Sequence, residues 1–297
     1  MALYAFDGTG NEDKEGFEKD SNVLDFFRGY DDPLQNDDPK QERGSLYLKG
    51  IGKRARTPAG DKLAQALGAG GHRRVGLMFK RLERNQAAGD TKIDVIGFSR
   101  GAALAMSFAN EIAEKFPRLT IRFIGVWDIV GQFGLPGERL NAGHDLDLPP
   151  NAEHCYHAMA LDERRLLFPL TRLAGRGTNE ADRLTEVWFR GVHSDVGGGN
   201  GNRGLNWIAL HWMFENALRR GLPIRPEAIA ANLADRRLPQ QISDHRMEVG
   251  PSRGIRPTDL LHASVQIVPG IPGRPHNNPA FVLARIDDGG TITPATA

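Results

Sequence analysis

Chemistry in this sequence is offered by a serine set between two glycines and by polar residues that end strand-like runs. Gly97-Phe98-Ser99-Arg100-Gly101 has the G-x-S-x-G form, in which a strand turns sharply into a helix and lifts a serine hydroxyl clear of the sheet. A hydroxyl becomes a useful nucleophile only when a base takes its proton, usually a histidine oriented by a carboxylate. Three further runs end on polar residues: Leu3 to Phe6 on Asp7, Thr120 to Trp127 on Asp128, and Leu184 to Val192 on His193. Ser99, Asp128 and His193 follow the chain order nucleophile, acid, base. Asp195 as acid with His262 as base keeps the same order, and His193 would then hold structure or substrate. Both assignments stand at this point, beside the plainer readings of a βα turn with an incidental serine and an aspartate that only caps a helix.

An acyl-transfer site also needs donors for an oxyanion. One is the backbone N–H of Arg100, directly after the serine, and Gly8 or Thr9 on the first strand's loop could supply the second. Asp7-Gly8-Thr9-Gly10 is equally readable as a plain glycine-rich turn. No Gly-x-x-x-x-Gly-Lys-Ser/Thr occurs, Gly197-Gly198-Gly199 lacks dinucleotide spacing, and no His-Glu-x-x-His is present. No cofactor or metal is therefore expected. His144, His154, His157 and His211 lack strand-end placement and read as structural, and Asp145 and Asp147 as solvated.

The elements that must position these residues follow from hydrophobic pattern. Ile93, Val95 and Ile96 predict a buried strand before the serine, and Leu104, Phe108 and Ile112 a helix stripe after it. Ser21-Asn22 caps a helix carrying Val23, Leu24, Phe26 and Phe27. Ser45–Lys49 is a short strand, residues 53 to 71 an irregular crossover, and a helix runs from about Val75 to Gln86. Residues 11 to 20, 31 to 43 and 131 to 151 read as loops, and Leu205 to Arg220 as an amphipathic helix stopped by Gly221. A charged helical excursion covers 222 to 259, and Leu260 to Val268 carries His262. Strands alternating with helices predict an α/β fold with a mostly parallel central sheet flanked by helices. One domain over 1–297 is expected, with its core at about 1–268 and a frayed, Pro/Gly-rich tail at 270–297.

Composition narrows the classes. The net charge is +1, from 38 basic and 37 acidic residues, which argues against a nucleic-acid partner. A single cysteine, Cys155, excludes a disulfide framework. The start carries neither a basic n-region nor a long apolar run, so no signal peptide and a cytoplasmic site of synthesis are expected.

Five motifs in fixed order carry a family resemblance. They are Phe6-Asp7-Gly8-Thr9-Gly10-Asn11, Gly97-Phe98-Ser99-Arg100-Gly101-Ala102, Gly125-Val126-Trp127-Asp128, His157 to Arg165, and Trp188 to Gly199. Together they resemble the α/β-hydrolase domain of a family that includes the type VI secretion lipase effectors of the first phospholipase class, over roughly residues 1 to 268. The resemblance implies an α/β-hydrolase-like fold, ester hydrolysis through an acyl-enzyme, Ser99 as nucleophile, and Asp128 and His193 as acid and base. It also implies a glycerophospholipid substrate, export by a type VI secretion system, a secretion-system or immunity-protein partner, and peripheral membrane contact. Those effectors generally carry a large additional membrane-targeting region, whereas this sequence ends soon after the core. A small soluble ester as substrate, or a non-catalytic binding protein on the same scaffold, are the alternatives. His157 receives no catalytic role.

Overall fold

The computed structural model describes residues 1–9, 19–50, 60–131, 146–173, 182–243, 250–267, 276–280 and 282–294, with the backbone alone for 60–70. One sheet contains β1 (Ala2–Phe6), β2 (Leu46–Leu48), β3 (Lys92–Phe98), β4 (Thr120–Trp127), β5 (Cys155–Ala160), β6 (Leu184–Phe189), β7 (Leu260–His262), β8 (Arg285–Ile286) and β9 (Ile292–Thr293). Their order is β2-β1-β3-β4-β5-β6-β7-β8-β9. The pairings are parallel from β2 to β8, and β9 closes the edge antiparallel. The helices are α1 (Asn22–Gly29), α2 (Gly60–Ala87), α3 (Ser99–Lys115), α4 (His193–Gly197), α5 (Arg203–Arg219) and α6 (Pro226–Ala234). This is the mostly parallel α/β architecture expected from the alternation of elements.

Helices cover both faces of the sheet, so its central strands are apolar on both sides. Tyr4 and Phe6 of β1, with Ile93 and Val95 of β3, pack on Met78, Phe79, Leu104 and Phe108 of α2 and α3. Leu3 and Ala5, with Ile96 and Phe98, point the other way onto Phe26 of α1 and Leu210 and Met213 of α5.

Several elements depart from the expectations. Helix α2 starts at Gly60, where glycine, alanine and basic residues read as an irregular crossover; glycine lowers helix propensity, but tertiary context overrides it. Strand β5 went unassigned, because a strand buried at all six positions shows no alternation. Helix α5 is buried around most of its circumference rather than along one stripe. Pro/Gly-rich residues 270–297, read as a frayed tail, supply β8 and β9. The excursion at 222–259 contains α6 and a 3₁₀ turn at Asp235–Arg237. Gly10, His144, Asp145 and most of the loops at 11–20 and 131–151 lie outside the described residues.

From β1 the chain moves outward to β2, then returns across β1 to build β3 onward on the other side. Open α/β sheets bind ligands outside the carboxyl ends of their strands at such a reversal. Asp7 follows β1 there, and Ser99 follows β3.

Candidate active site

The turn from β3 into α3 is tight enough to require its glycines. A Cβ on Gly101 would lie 2.4 Å from the carbonyl oxygens of both Phe6 and Asp7, and one on Gly97 2.7 Å from Cα of Ala102. Ser99 between them is buried with φ at +59°, the left-handed region that L-residues seldom enter without compensation. Asp128, just past β4, is the other non-glycine residue with positive φ among the described residues, at +42°. Sparsely populated backbone of this kind costs on the order of 1–3 kcal/mol per residue and persists where surrounding structure enforces it. Here the Val130 N–H, two residues past Asp128, donates to the Ser99 carbonyl at 3.2 Å, which ties the segment after β4 to the turn after β3.

Both oxygens of Asp128 are engaged. Oδ2 accepts from Nδ1 of His193 at 2.6 Å and from Arg253 Nη2 at 3.0 Å. Oδ1 accepts from Arg253 Nη1 at 2.5 Å and from the Ala160 N–H at 2.8 Å. Complete burial alone would push this carboxyl up. The Arg253 guanidinium and the His193 bond overcome that and hold it well below the usual carboxylate range.

His193 opens α4, where its own N–H donates to Glu163 Oε2 at 3.1 Å. Its ring lies between Phe98, with centroids 4.6 Å apart, and Phe168, at 4.7 Å. Burial lowers the imidazole below its ordinary value; Asp128 opposes that shift, and Arg253 adds to it. The bond to Asp128 assigns the proton to Nδ1 and leaves Nε2 a lone pair. Among the described residues the one hydrogen bond of the His193 ring is that to Asp128, and none joins its Nε2 to the Ser99 hydroxyl. Catalytic serine–histidine bonds commonly tighten only with substrate bound.

The other sequence-derived positions sort themselves by partner. Gly8 already donates its N–H to Asp7 Oδ1 at 2.6 Å, while Asp7 Oδ2 accepts from Ser21 and Tyr47, each at 2.6 Å. Arg100 occupies the second position of α3, where a backbone N–H has no partner within the helix. Asp195 and His262 are not brought together. Asp195 receives the N–H groups of Val192 and Ser243, and His262 pairs with Ser264 at 2.8 Å and Asp288 at 3.2 Å. Their chain order fitted the second assignment, but each carboxylate and ring nitrogen is committed to a loop.

Sequence reasoning missed Arg253, Glu163 and Phe168. The first lies in an irregular segment with no periodicity to mark it. The other two follow β5, beside Asp162, which pairs with Arg190 at 2.8 Å and receives the Gly191 N–H at 2.8 Å. The motif running from His157 to Arg165 thus braces the loop that delivers His193. No group of three or more His, Cys, Asp or Glu among the described residues could hold a metal ion, and no described helix is long and apolar enough to cross a membrane. A cleft of about 660 Å³ lined in part by Tyr156, Thr185, Glu186 and Asp259 opens at the amino ends of β5 to β7, away from Ser99.

The family described as T6SS, phospholipase effector Tle1-like, catalytic domain, matches residues 3–116 and 108–216. Among solved structures, an uncharacterized protein from Pseudomonas aeruginosa is 23% identical with a TM-score of 0.53, over 79% of this chain and 48% of its own. The Tle1 effector, solved bound to the VgrG spike of the type 6 secretion system, is 22% identical with a TM-score of 0.44, over 68% of this chain and 51% of its own. The chain therefore spans about half the length of the solved structures it matches. A 72-residue segment is 35% identical to the uncharacterized protein YEL023C of Saccharomyces cerevisiae, covering 21% of this chain and 11% of that one. The first of these likenesses supports the fold.

Proposed function

The chain belongs to the Tle1-like catalytic-domain family of type VI secretion phospholipase effectors, and from that premise we propose that it is a serine hydrolase cleaving the carboxylic esters of glycerophospholipids. Ser99 Oγ attacks the ester carbonyl while Nε2 of His193 takes its proton. Collapse of the tetrahedral intermediate expels the lysolipid oxygen, which receives that proton, and the acyl group stays on Ser99. Water deprotonated by the same nitrogen then releases the fatty acid and restores the serine. Asp128 keeps the proton on Nδ1 and balances the imidazolium charge without itself becoming protonated.

The oxyanion is held by the N–H of Arg100 and, since Gly8 donates to Asp7, by that of Thr9. Arg253 acts one step back, fixing the acid through both of its oxygens. The same reading treats the chain as one hydrolase domain, because β8 and β9 extend the sheet that carries the site, and delivery through a secretion spike goes with the family.

The observation that carries this reading is the 2.6 Å bond from His193 Nδ1 to Asp128, with Nε2 uncommitted and a strained serine attached to the phenylalanine beneath the ring. A fluorophosphonate probe should label the full chain and fail to label Ser99→Ala. Turnover of phosphatidylglycerol should disappear with the label. Equal labelling of both proteins would sink the proposal, and turnover confined to short soluble esters would replace its substrate.

A further inference from the structure

Residues 165 to 168 make a tight turn closed by the Phe168 N–H donating to the Arg165 carbonyl at 3.0 Å. Its two corner residues are Leu166 and Leu167, 61% and 66% exposed. Corners of such turns face water and ordinarily take glycine, proline, asparagine, aspartate or serine. Paired leucines there leave most of their apolar surface facing water.

The turn is also fixed in place. Arg165 reaches Glu163 through Nε at 2.9 Å and Nη2 at 2.6 Å, and its guanidinium lies 4.1 Å over the Phe168 ring. The Phe168 carbonyl accepts from Arg253 Nη2 at 2.9 Å. The turn that carries the leucines is thereby held, and they stand next to the ring that covers His193. Ile267, 62% exposed, follows β7 at the same end of the sheet, where Arg190 ties the Gln266 carbonyl to Asp162.

A second copy of the chain is a poor occupant. Stable interfaces bury about 1,200 Å² or more, far above what the corner of one turn provides. A fluid apolar phase needs no matching shape, and Arg164, which has no carboxylate partner among the described residues, sets a cation beside the pair, suited to an anionic headgroup layer. We propose that Leu166 and Leu167 are the contact through which the site docks on a bilayer of anionic phospholipid. The proposal rests on the phospholipid reading of Ser99 and deepens it, because it presents the ester carbonyl at the covered histidine.

The test is the double variant L166S/L167S of the full chain, with binding measured in a Ser99→Ala background. Cosedimentation with phosphatidylglycerol/phosphatidylethanolamine vesicles should weaken at least about tenfold. Vesicle hydrolysis should fall in step, while p-nitrophenyl butyrate turnover stays within twofold. Unchanged vesicle binding overturns the proposal. So does an equal loss on both substrates, which would mean that the turn only supports Phe168, or a dimer that the variant dissolves, which would give the patch to a second copy. Leucine-dependent binding by a chain with no Ser99-dependent turnover would keep the surface and remove the enzymatic reading instead.

Discussion

Two buried histidines, His157 on β5 and His193 at the start of α4, stand in nearly the same company and differ at one ring nitrogen. His193 Nδ1 meets Asp128, which is held by Arg253. His157 Nδ1 meets Glu186 at 2.9 Å, and Glu186 is held by Arg172 at 2.8 Å. Both rings are buried, and both carboxylates also accept a backbone N–H, from Ala160 and Leu173 respectively. The difference is the second ring nitrogen. Nε2 of His157 accepts the Ile129 N–H at 3.3 Å, which leaves that imidazole with a donor and an acceptor both in use. Nε2 of His193 has no such partner, and its ring rests on the residue before Ser99. On the proposed reading, one backbone amide decides whether a histidine, an acid and an arginine make a structural clasp or a general base.

Substitutions can break this comparison. The largest effect should come from His193→Ala or Ser99→Ala, each lowering kcat on the order of 10⁵-fold, with Asp128→Asn close behind at about 10⁴. His157→Gln should leave kcat within about tenfold while lowering stability by roughly 2–4 kcal/mol, because buried partners lose a hydrogen bond. Steady-state kinetics beside urea unfolding separates the two, and equal kinetic losses at both histidines would erase the distinction.

A smaller, signed effect is expected at Arg253. Burial and Arg253 both lower His193, so its basic form persists into acid and the acid limb of kcat/KM should fall below pH ~6.5, the ordinary histidine value. Arg253→Met removes a neighbouring positive charge and should move that limb upward. It should also cost roughly 3 kcal/mol of stability by leaving Asp128 uncompensated. A pH–rate profile unmoved by the change would assign Arg253 to the fold alone.

The smallest effect belongs to the clasp. Burial would raise Glu186, but His157 and Arg172 hold it at about 2, against an ordinary value of 4.5. A depressed carboxyl contributes stability that is complete above its unfolded value and fades as pH falls toward its folded one. Wild-type urea midpoints should therefore decline from pH 4.5 toward 2, and Glu186→Gln should flatten that decline. A variant curve parallel to the wild type would remove Glu186 from the acid response.

What could be read from the sequence was whatever local geometry demands. Gly97 and Gly101 had to be glycine because backbone passes within a Cβ's reach, so the elbow announced itself. Strand-end placement put Asp128 and His193 in chain order before any contact was known. Arg253 could not be read this way: it belongs to an irregular stretch and meets Asp128 across 125 positions, so no window holds both. Strand β5 was hidden because burial on both faces removes the alternation that marks a strand. The Pro/Gly-rich end looked frayed because two-residue strands have no pattern of their own and take their shape from the sheet edge they join.

The Arg253–Asp128 pair also sets an order of events. Closing a loop of that length is entropically uphill, so the contact forms after the nearer strand pairings that build the sheet. Until the segment following α6 settles against Phe168 and Ala160, the acid is an uncompensated buried charge and the imidazole has no fixed partner. On the proposed reading, catalytic competence is then a late product of folding rather than a property of the three strand ends. A single cleavage between α6 and Arg253 would silence the centre while leaving Ser99, Asp128 and His193 on one intact piece of chain.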